Sequence, residues 1–353
     1  MIPSLEDRLL KSTKNNRVEK SIDLHFSIIV PVYNRPDEVE ELLASMTKQT
    51  RQGFEVVIVE DGSVEKCEHI VNKYSSKLNL KYYFKENSGP GPSRNYGFER
   101  ASGNYCIFLD SDCILPPQWF EVITSRLSES YTDAFGGPDA AHPDFSPLQK
   151  AINYSMTSFF TTGGIRGGSE KVDKFYPRSF NMGYSREVFE KTGGFARMRF
   201  GEDIDMSIRI LENGFQTRLF KDASVFHKRR THLRQFFKQV YNSGIARINL
   251  YKKHPQSLKA VHFAPAIFTV GVVTLILGAV FYTWMLLMPL LLHLFLILAD
   301  SIFRTKSISV GLLSIVTSYL QLTGYGSGFI GAFFRRILLG KGEFSAFGKN
   351  FYK

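Results

Sequence analysis

The chain has 353 residues, 44% of them hydrophobic, and its 44 Lys and Arg outnumber 33 Asp and Glu for a formal net charge of +11. That length allows a catalytic domain plus an appended module. Three cysteines, Cys67, Cys106 and Cys113, show no paired spacing, which fits a reducing compartment and excludes a disulfide framework and a zinc site. There are no internal repeats and no low-complexity segment.

Met1 to Leu24 is polar and charged, so residues 1–25 read as an extension rather than a signal peptide. Phe26 to Val32 is an apolar, β-branched run predicted as a strand, closing in Pro31-Val32-Tyr33-Asn34-Arg35. Pro36 then suits a first helical position, and Val39, Leu42, Leu43 and Met46 follow at helical spacing. Val56 to Val59 is a second strand, ending in Glu60-Asp61-Gly62-Ser63. Leu80 to Phe84 is a third, followed by Asn87-Ser88-Gly89-Pro90-Gly91-Pro92-Ser93-Arg94-Asn95 and the helix it opens. Tyr105 to Leu109 is a fourth, bounded by Gly103 and Pro116-Pro117, and it runs into Asp110-Ser111-Asp112. Strands alternating with helices predict an α/β fold with a parallel sheet, whose carboxyl edge collects the four polar turns.

Two carboxylates one residue apart at such an edge can face one hard cation, Mg²⁺ or Mn²⁺, which also takes substrate phosphates. The Gly-Pro-Gly-Pro stretch matches neither the Walker pattern nor the dinucleotide fingerprint. A guanidinium in the first turn of a helix opposes the macrodipole, so Arg94 predicts an anion such as a diphosphate there. Gly201-Glu202-Asp203-Ile204-Asp205 opens a helix with apolar Ile204, Ile208 and Leu211, and one of its acids is a candidate general base. The glycines of Phe180-Asn181-Met182-Gly183-Tyr184 and Thr192-Gly193-Gly194-Phe195 predict tight turns or close backbone approach to a ligand.

These pieces, in this order and spacing over about residues 26–230, resemble the family 2 inverting glycosyltransferases. The resemblance implies a Rossmann-like A-type glycosyltransferase domain over 26–230, with a mostly parallel sheet. It implies that Pro31, Tyr33, Arg35, Asp61, Gly89, Arg94, Asp110 and Asp112 bind the donor, a UDP- or GDP-linked sugar. Asp112 would ligate Mg²⁺ or Mn²⁺ with Asp110 and with His227, which ends Ser224-Val225-Phe226-His227, and Asp203 would be the catalytic base. Processive members carry a Gln-x-x-Arg-Trp motif. Leu233 to Gly244 has Gln235 and Gln239 but no Arg-Trp, which points to transfer of single sugars.

From Ala223 to His262 there are nine Lys and Arg and no Asp or Glu. Leu233, Phe236, Phe237, Val240, Tyr241, Ile248 and Tyr251 follow helical spacing there, so 231–262 reads as basic amphipathic helices lying on an anionic leaflet. No recognised nucleic-acid motif accompanies the charge. Phe263 to Ala299 is uncharged and suits two spans joined near Tyr282-Thr283-Trp284. Asp300 to Lys306 breaks the run, and Ile308 to Phe334 is again uncharged. Residues 263–334 thus form a helical transmembrane region, and the basic approach places the catalytic domain on the cytoplasmic side of an inner membrane. A third span would export the basic tail at 335–353 against the positive-inside rule, so the glycine-rich 324–328 segment favours a re-entrant hairpin. The expected activity is transfer of one sugar to a lipid-linked or glycan acceptor in cell-surface polysaccharide or glycolipid synthesis. The alternatives are transfer to polyprenyl phosphate and a non-catalytic sugar-nucleotide-binding membrane protein. Nucleotidyl transfer is weakened by the lack of a glycine-rich, arginine-bearing first loop.

Overall fold

The computed structural model of the chain describes residues 23–163 and 175–345. Most of the expected 1–25 extension and residues 346–353 of the expected tail lie outside the described residues. The described chain opens with four strands alternating with three helices: β1 (Phe26–Val32), α1 (Pro36–Met46), β2 (Phe54–Asp61), α2 (Glu68–Tyr74), β3 (Asn79–Lys85), α3 (Pro90–Arg100) and β4 (Tyr105–Leu109). All four strands are parallel, and β1, β2 and β4 are buried along almost their whole length. That explains their near-continuous apolar runs, since a parallel strand covered on both faces has no polar side to show.

The chain continues through β5 (Cys113–Ile114), α4 (Trp119–Glu129), β6 (Ala134–Gly136), β7 (Asp139–Ala140), α5 (Pro147–Thr157), α6 (Phe159–Thr162), β8 (Asn181–Ser185), α7 (Arg186–Thr192), α8 (Glu202–Glu212), β9 (Thr217–Leu219) and β10 (Val225–His227). The main sheet runs β3-β2-β1-β4-β8-β6-β9, with β8 antiparallel to both neighbours. Alternate residues divide between two cores. Ile28, Val30, Val56, Ile58 and Ile107 pack against α1, α2 and α4 on one face, and Ile29, Val57, Val59 and Phe108 against α3, α7 and α8 on the other. A separate small sheet, β5-β10-β7, bridges the carboxyl edge.

One local expectation is corrected. Phe180 to Tyr184 is largely the central strand β8, and a Cβ on Gly183 would stand 2.3 Å from the Phe135 ring, so its close approach is to a core aromatic and not to a ligand.

Beyond the domain come α9 (Leu233–Lys253), α10 (Ala264–Phe281), α11 (Met288–Thr305) and α12 (Ile308–Ala332), the last running on into a π-helical turn at Phe333–Leu338. Among the described residues, three helical stretches, Ala260–Phe281, Trp284–Thr305 and Ile308–Leu338, are long and apolar enough to cross a membrane. The turn between the first two falls where expected. The charged stretch from Asp300 to Lys306 contains the end of α11, which closes at Thr305. Asp300 sits within α11, where it accepts the Tyr154 hydroxyl at 2.7 Å and pairs with Arg304 at 2.9 Å.

The hairpin expected at 324–328 is not formed, because Ile308–Ala332 is one continuous helix. Its glycines serve helix contact instead. A Cβ on Gly328 would lie 2.0 Å from the Tyr241 carbonyl oxygen, and one on Gly244 would lie 2.2 Å from that of Tyr325. Two backbones that meet this closely leave no room for side chains, the small-residue mode of helix packing. Accordingly Phe236, Val240, Ile245 and Ile248 of α9 are buried within the protein, so much of the apolar face expected to lie on a leaflet is turned inward.

Candidate active site

The ends of β1, β2 and β4, with the loop after β3, meet at one edge of the sheet, where ligands of open α/β sheets bind. Loops are first fixed to one another. Asn34, at φ 52°, receives the Val64 amide on its Oδ1 at 2.7 Å and donates its own amide to Ser63 at 2.8 Å. Asp61, the last residue of β2, accepts the amides of Ser88 and Gly89 at 2.9 and 2.8 Å and pairs with Lys85. Gly62 has φ 73°, and a Cβ there would sit 2.7 Å from the Asn87 nitrogen. These loops are therefore held to one another by the protein's own hydrogen bonds. Tyr33 remains exposed at the strand end, with Pro31 half-buried beneath it.

The acidic centre lies beside them. The β10–β5 pairing sets His227 opposite Cys113, one residue past Asp112. His227 Nε2 thereby stands 3.0 Å from Asp112 Oδ1 and 4.0 Å from Asp110 Oδ2. Its ring is braced against Phe180, with centroids 5.1 Å apart. Arg35 Nη1 donates to Asp112 Oδ2 at 2.9 Å and to Glu38 at 2.7 Å. Burial opposes the charge on Asp112, but His227 and then Arg35 outweigh it and hold the carboxyl well below the ordinary range. On His227, burial works against protonation and the two aspartates overcome it, raising the imidazole.

The residues present fit a divalent cation. His227 Nε2 lies 3.0 Å from Asp112 Oδ1 and 4.0 Å from Asp110 Oδ2, so two carboxylates and an imidazole converge on one point. Asp112, Cys113 and His227 have ligand atoms within 4.8 Å of one another. Cys113 is the poor member, since burial keeps its thiol protonated and a hard cation prefers oxygen. Asp110 and Asp112 with His227 are the better donor set.

Arg94 answers differently from expectation. It lies in the second turn of α3, almost fully buried, with Nη2 on Asp110 Oδ1 at 2.6 Å and Nη1 on Glu202 Oε1 at 3.0 Å. The anions that balance it are two of the protein's own carboxylates. It braces the Asp-x-Asp turn against α8, and its guanidinium also faces the Phe195 ring at 5.3 Å.

At the start of α8, Gly201 takes φ 85° and presents Glu202 and Asp203, both almost fully buried. Asp203 Oδ2 accepts from Arg178 Nε, a residue that carried no signal in the sequence. Burial would raise Asp203, but Arg178 dominates and keeps it below the usual carboxylate range. Glu202 goes the other way, pushed up to about 7 by burial and by the charge of Asp203. Asp205 is removed from the chemistry. It is fully buried and bound to Arg209, Lys253 and His254, tying α8 to the end of α9. The Gly193-Gly194-Phe195 turn is likewise a clamp. Asn95 receives the Phe195 amide at 2.8 Å and donates to its carbonyl at 2.9 Å. Arg230, read only as part of a basic run, also lies close enough to help depress Asp112.

Residues 27–193 match the family described as Glycosyl transferase family 2. Glycosyltransferase AglE of Haloferax volcanii is 26% identical over 240 residues, 67% of this chain and 77% of that protein. The minor teichoic acid biosynthesis protein GgaB of Bacillus subtilis is 37% identical over 217 residues, 60% of this chain and 24% of that protein. The chain spans as little as 14% of the length of some curated relatives. Among solved structures, the mannosyltransferase PcManGT from Pyrobaculum calidifontis, in complex with GDP-Man and Mn²⁺, superposes with a TM-score of 0.60 at 17% identity, covering 84% of this chain and 87% of that one. The fold is that of the A-type glycosyltransferases. Residues 27–193 form a family 2 glycosyltransferase domain.

Proposed function

We propose that the chain transfers a single sugar, with inversion, from a UDP- or GDP-linked donor to a lipid-linked or glycan acceptor at the cytoplasmic face of a membrane, in cell-surface polymer synthesis. The observation that carries this reading is the single acidic centre in which Arg94 joins Asp110 to Glu202, with Asp112, His227 and Asp203 beside it. The fold shared with a protein solved with GDP-Man and Mn²⁺, and the likeness to a teichoic acid biosynthesis protein, support donor type and product class.

Asp110, Asp112 and His227 are the residues that would hold Mg²⁺ or Mn²⁺, and such an ion, when bound, neutralises charge on the leaving diphosphate. Asp61 and the Gly89 loop fix the shelf on which the nucleoside lies. Asp203 takes the proton of the acceptor hydroxyl as its oxygen bonds to the anomeric carbon and the bond to the diphosphate breaks, releasing nucleoside diphosphate. Arg178 keeps Asp203 ionised and aimed, a positioning role. A base in reach of its proton contributes typically ~10²–10⁴-fold.

The test is to incubate the purified full chain in detergent with a panel of UDP- and GDP-sugars and Mn²⁺ and to measure nucleoside diphosphate release. One donor class should bind and hydrolyse slowly without acceptor. Failure of every donor to bind would refute the reading.

A further inference from the structure

A second cationic site lies away from the acidic centre. A cavity of about 450 Å³ opens between the loop Ala196–Met198, the end of α9 and the π-helical turn after α12. Arg197, Asn249, Lys252, Lys253 and Arg336 line it, with Glu343 as the only acid. Lys253 is occupied by Asp205 at 2.6 Å, and Arg336 reaches Asn249 and Glu343. Arg197 and Lys252 have no partner among the described residues, and Arg336 Nε is buried without a hydrogen-bond acceptor. Cations gathered around a cavity with one carboxylate leave positive charge uncompensated, which an anion with several acceptor oxygens would satisfy.

Position decides the source of that anion. The cavity sits between the residues just before the Ala260–Phe281 stretch and the last turn of the Ile308–Leu338 stretch. If those helices enter a membrane, its mouth stands at headgroup depth, where phosphodiesters are concentrated and basic pockets between helices take them up. We propose that this cavity binds the phosphate of an anionic phospholipid headgroup. The inference rests on the membrane reading and is independent of sugar transfer. The wall formed by Ala196 continues into the active-site edge. A Cβ on Gly91 would lie 2.9 Å from the Ala196 carbonyl oxygen, and six residues on come Glu202 and Asp203. A bound headgroup therefore braces the loop that leads to the acidic pair, and Lys253 links the same wall to α8 through Asp205.

Thermal melting of the full chain, purified in neutral detergent and supplemented with phosphatidylglycerol or with phosphatidylcholine, tests this. Phosphatidylglycerol should raise the melting temperature and phosphatidylcholine should not. Arg197→Gln with Lys252→Gln should weaken the apparent phosphatidylglycerol affinity about 100-fold or more, since each direct hydrogen bond from a charged group is worth roughly a factor of ten. Both residues are unpartnered, so the double variant should melt like wild type in phosphatidylcholine. Arg234→Gln with Lys259→Gln removes two exposed charges outside the cavity and should keep the phosphatidylglycerol response. Equal loss in that control would show diffuse attraction to the leaflet and overturn the site. An equal shift from inorganic phosphate at the same concentration would overturn a lipid ligand, and no phosphatidylglycerol-specific shift would overturn binding altogether.

Discussion

Replacing Asp203 by Asn separates a helix-terminal acid from a catalytic base. Asn is nearly isosteric and also suits a helix N-terminus, so the dipole contribution it loses is only ~0.3–1 kcal/mol. The larger stability effect comes from Arg178. A fully buried pair loses about 3–5 kcal/mol when one partner goes, whereas an exposed pair is worth ~0–1 kcal/mol. The Asp203 side chain is 11% exposed and that of Arg178 is 40% exposed, so the pair lies between those limits. We expect about 1–2 kcal/mol, a fall in melting temperature of roughly 2–8 °C. Turnover should fall far more, by at least ~100-fold, because Asn cannot accept the acceptor's proton. The assay is nucleoside diphosphate release with acceptor present, beside donor affinity by calorimetry. Donor affinity should stay near wild type, since Asp61 and Asp112 are untouched. Turnover within tenfold of wild type would refute Asp203 as base and favour a phosphate acceptor, which has no proton to give up. Lost donor binding would move Asp203 into the donor site and leave Glu202 as the base, since Asp205 is fully bound elsewhere.

Arg178→Gln should raise the Asp203 pKa and move the acid limb of the kcat/KM profile to higher pH, and an unmoved limb would refute the positioning role. The depressed carboxyl stabilises the fold above its ordinary value of 3.8 and loses that contribution as pH falls through the folded value, so the variant should be destabilised at pH 7 and the gap to wild type should close as pH falls below 3.8. EDTA should abolish turnover, Mn²⁺ or Mg²⁺ should restore it, and Asp112→Ala should stay inactive at any metal concentration; full turnover in excess chelator would refute the metal assignment. Gly328→Ala should cost on the order of 1–3 kcal/mol by melting, because its Cβ meets the Tyr241 carbonyl oxygen. Gly331→Ala, whose Cβ would lie 3.6 Å from the Tyr241 hydroxyl, an ordinary van der Waals contact, should be close to neutral, and equal costs would show that helix contact is not the reason. The protein should sediment with membranes through a high-salt wash, because burial of apolar helices is insensitive to ionic strength; quantitative release would exclude spanning helices.

The alternating sheet was legible because its evidence is local. Buried parallel strands must be apolar throughout, so β1 and β4 were delimited to the residue, and the turns after them are polar because they line an edge. The acidic pair could be seen where it falls for the same reason. What joins at that edge was not legible. Arg94 and Glu202 are 108 residues apart, Arg35 and Asp112 are 77 apart, and which cation meets which carboxylate is settled only when the loops fold together. Arg178 left no local trace at all, and Arg94 suggested a ligand anion because its protein partners lie on other elements. The last helix shows the same limit. An apolar, glycine-rich run satisfies lipid and protein equally well by composition, and only the approach of Tyr241 to Gly328 and of Tyr325 to Gly244 shows that its glycines face a neighbouring helix. Periodicity reports which side of an element is apolar; what covers that side depends on contacts between distant residues, which no local pattern encodes.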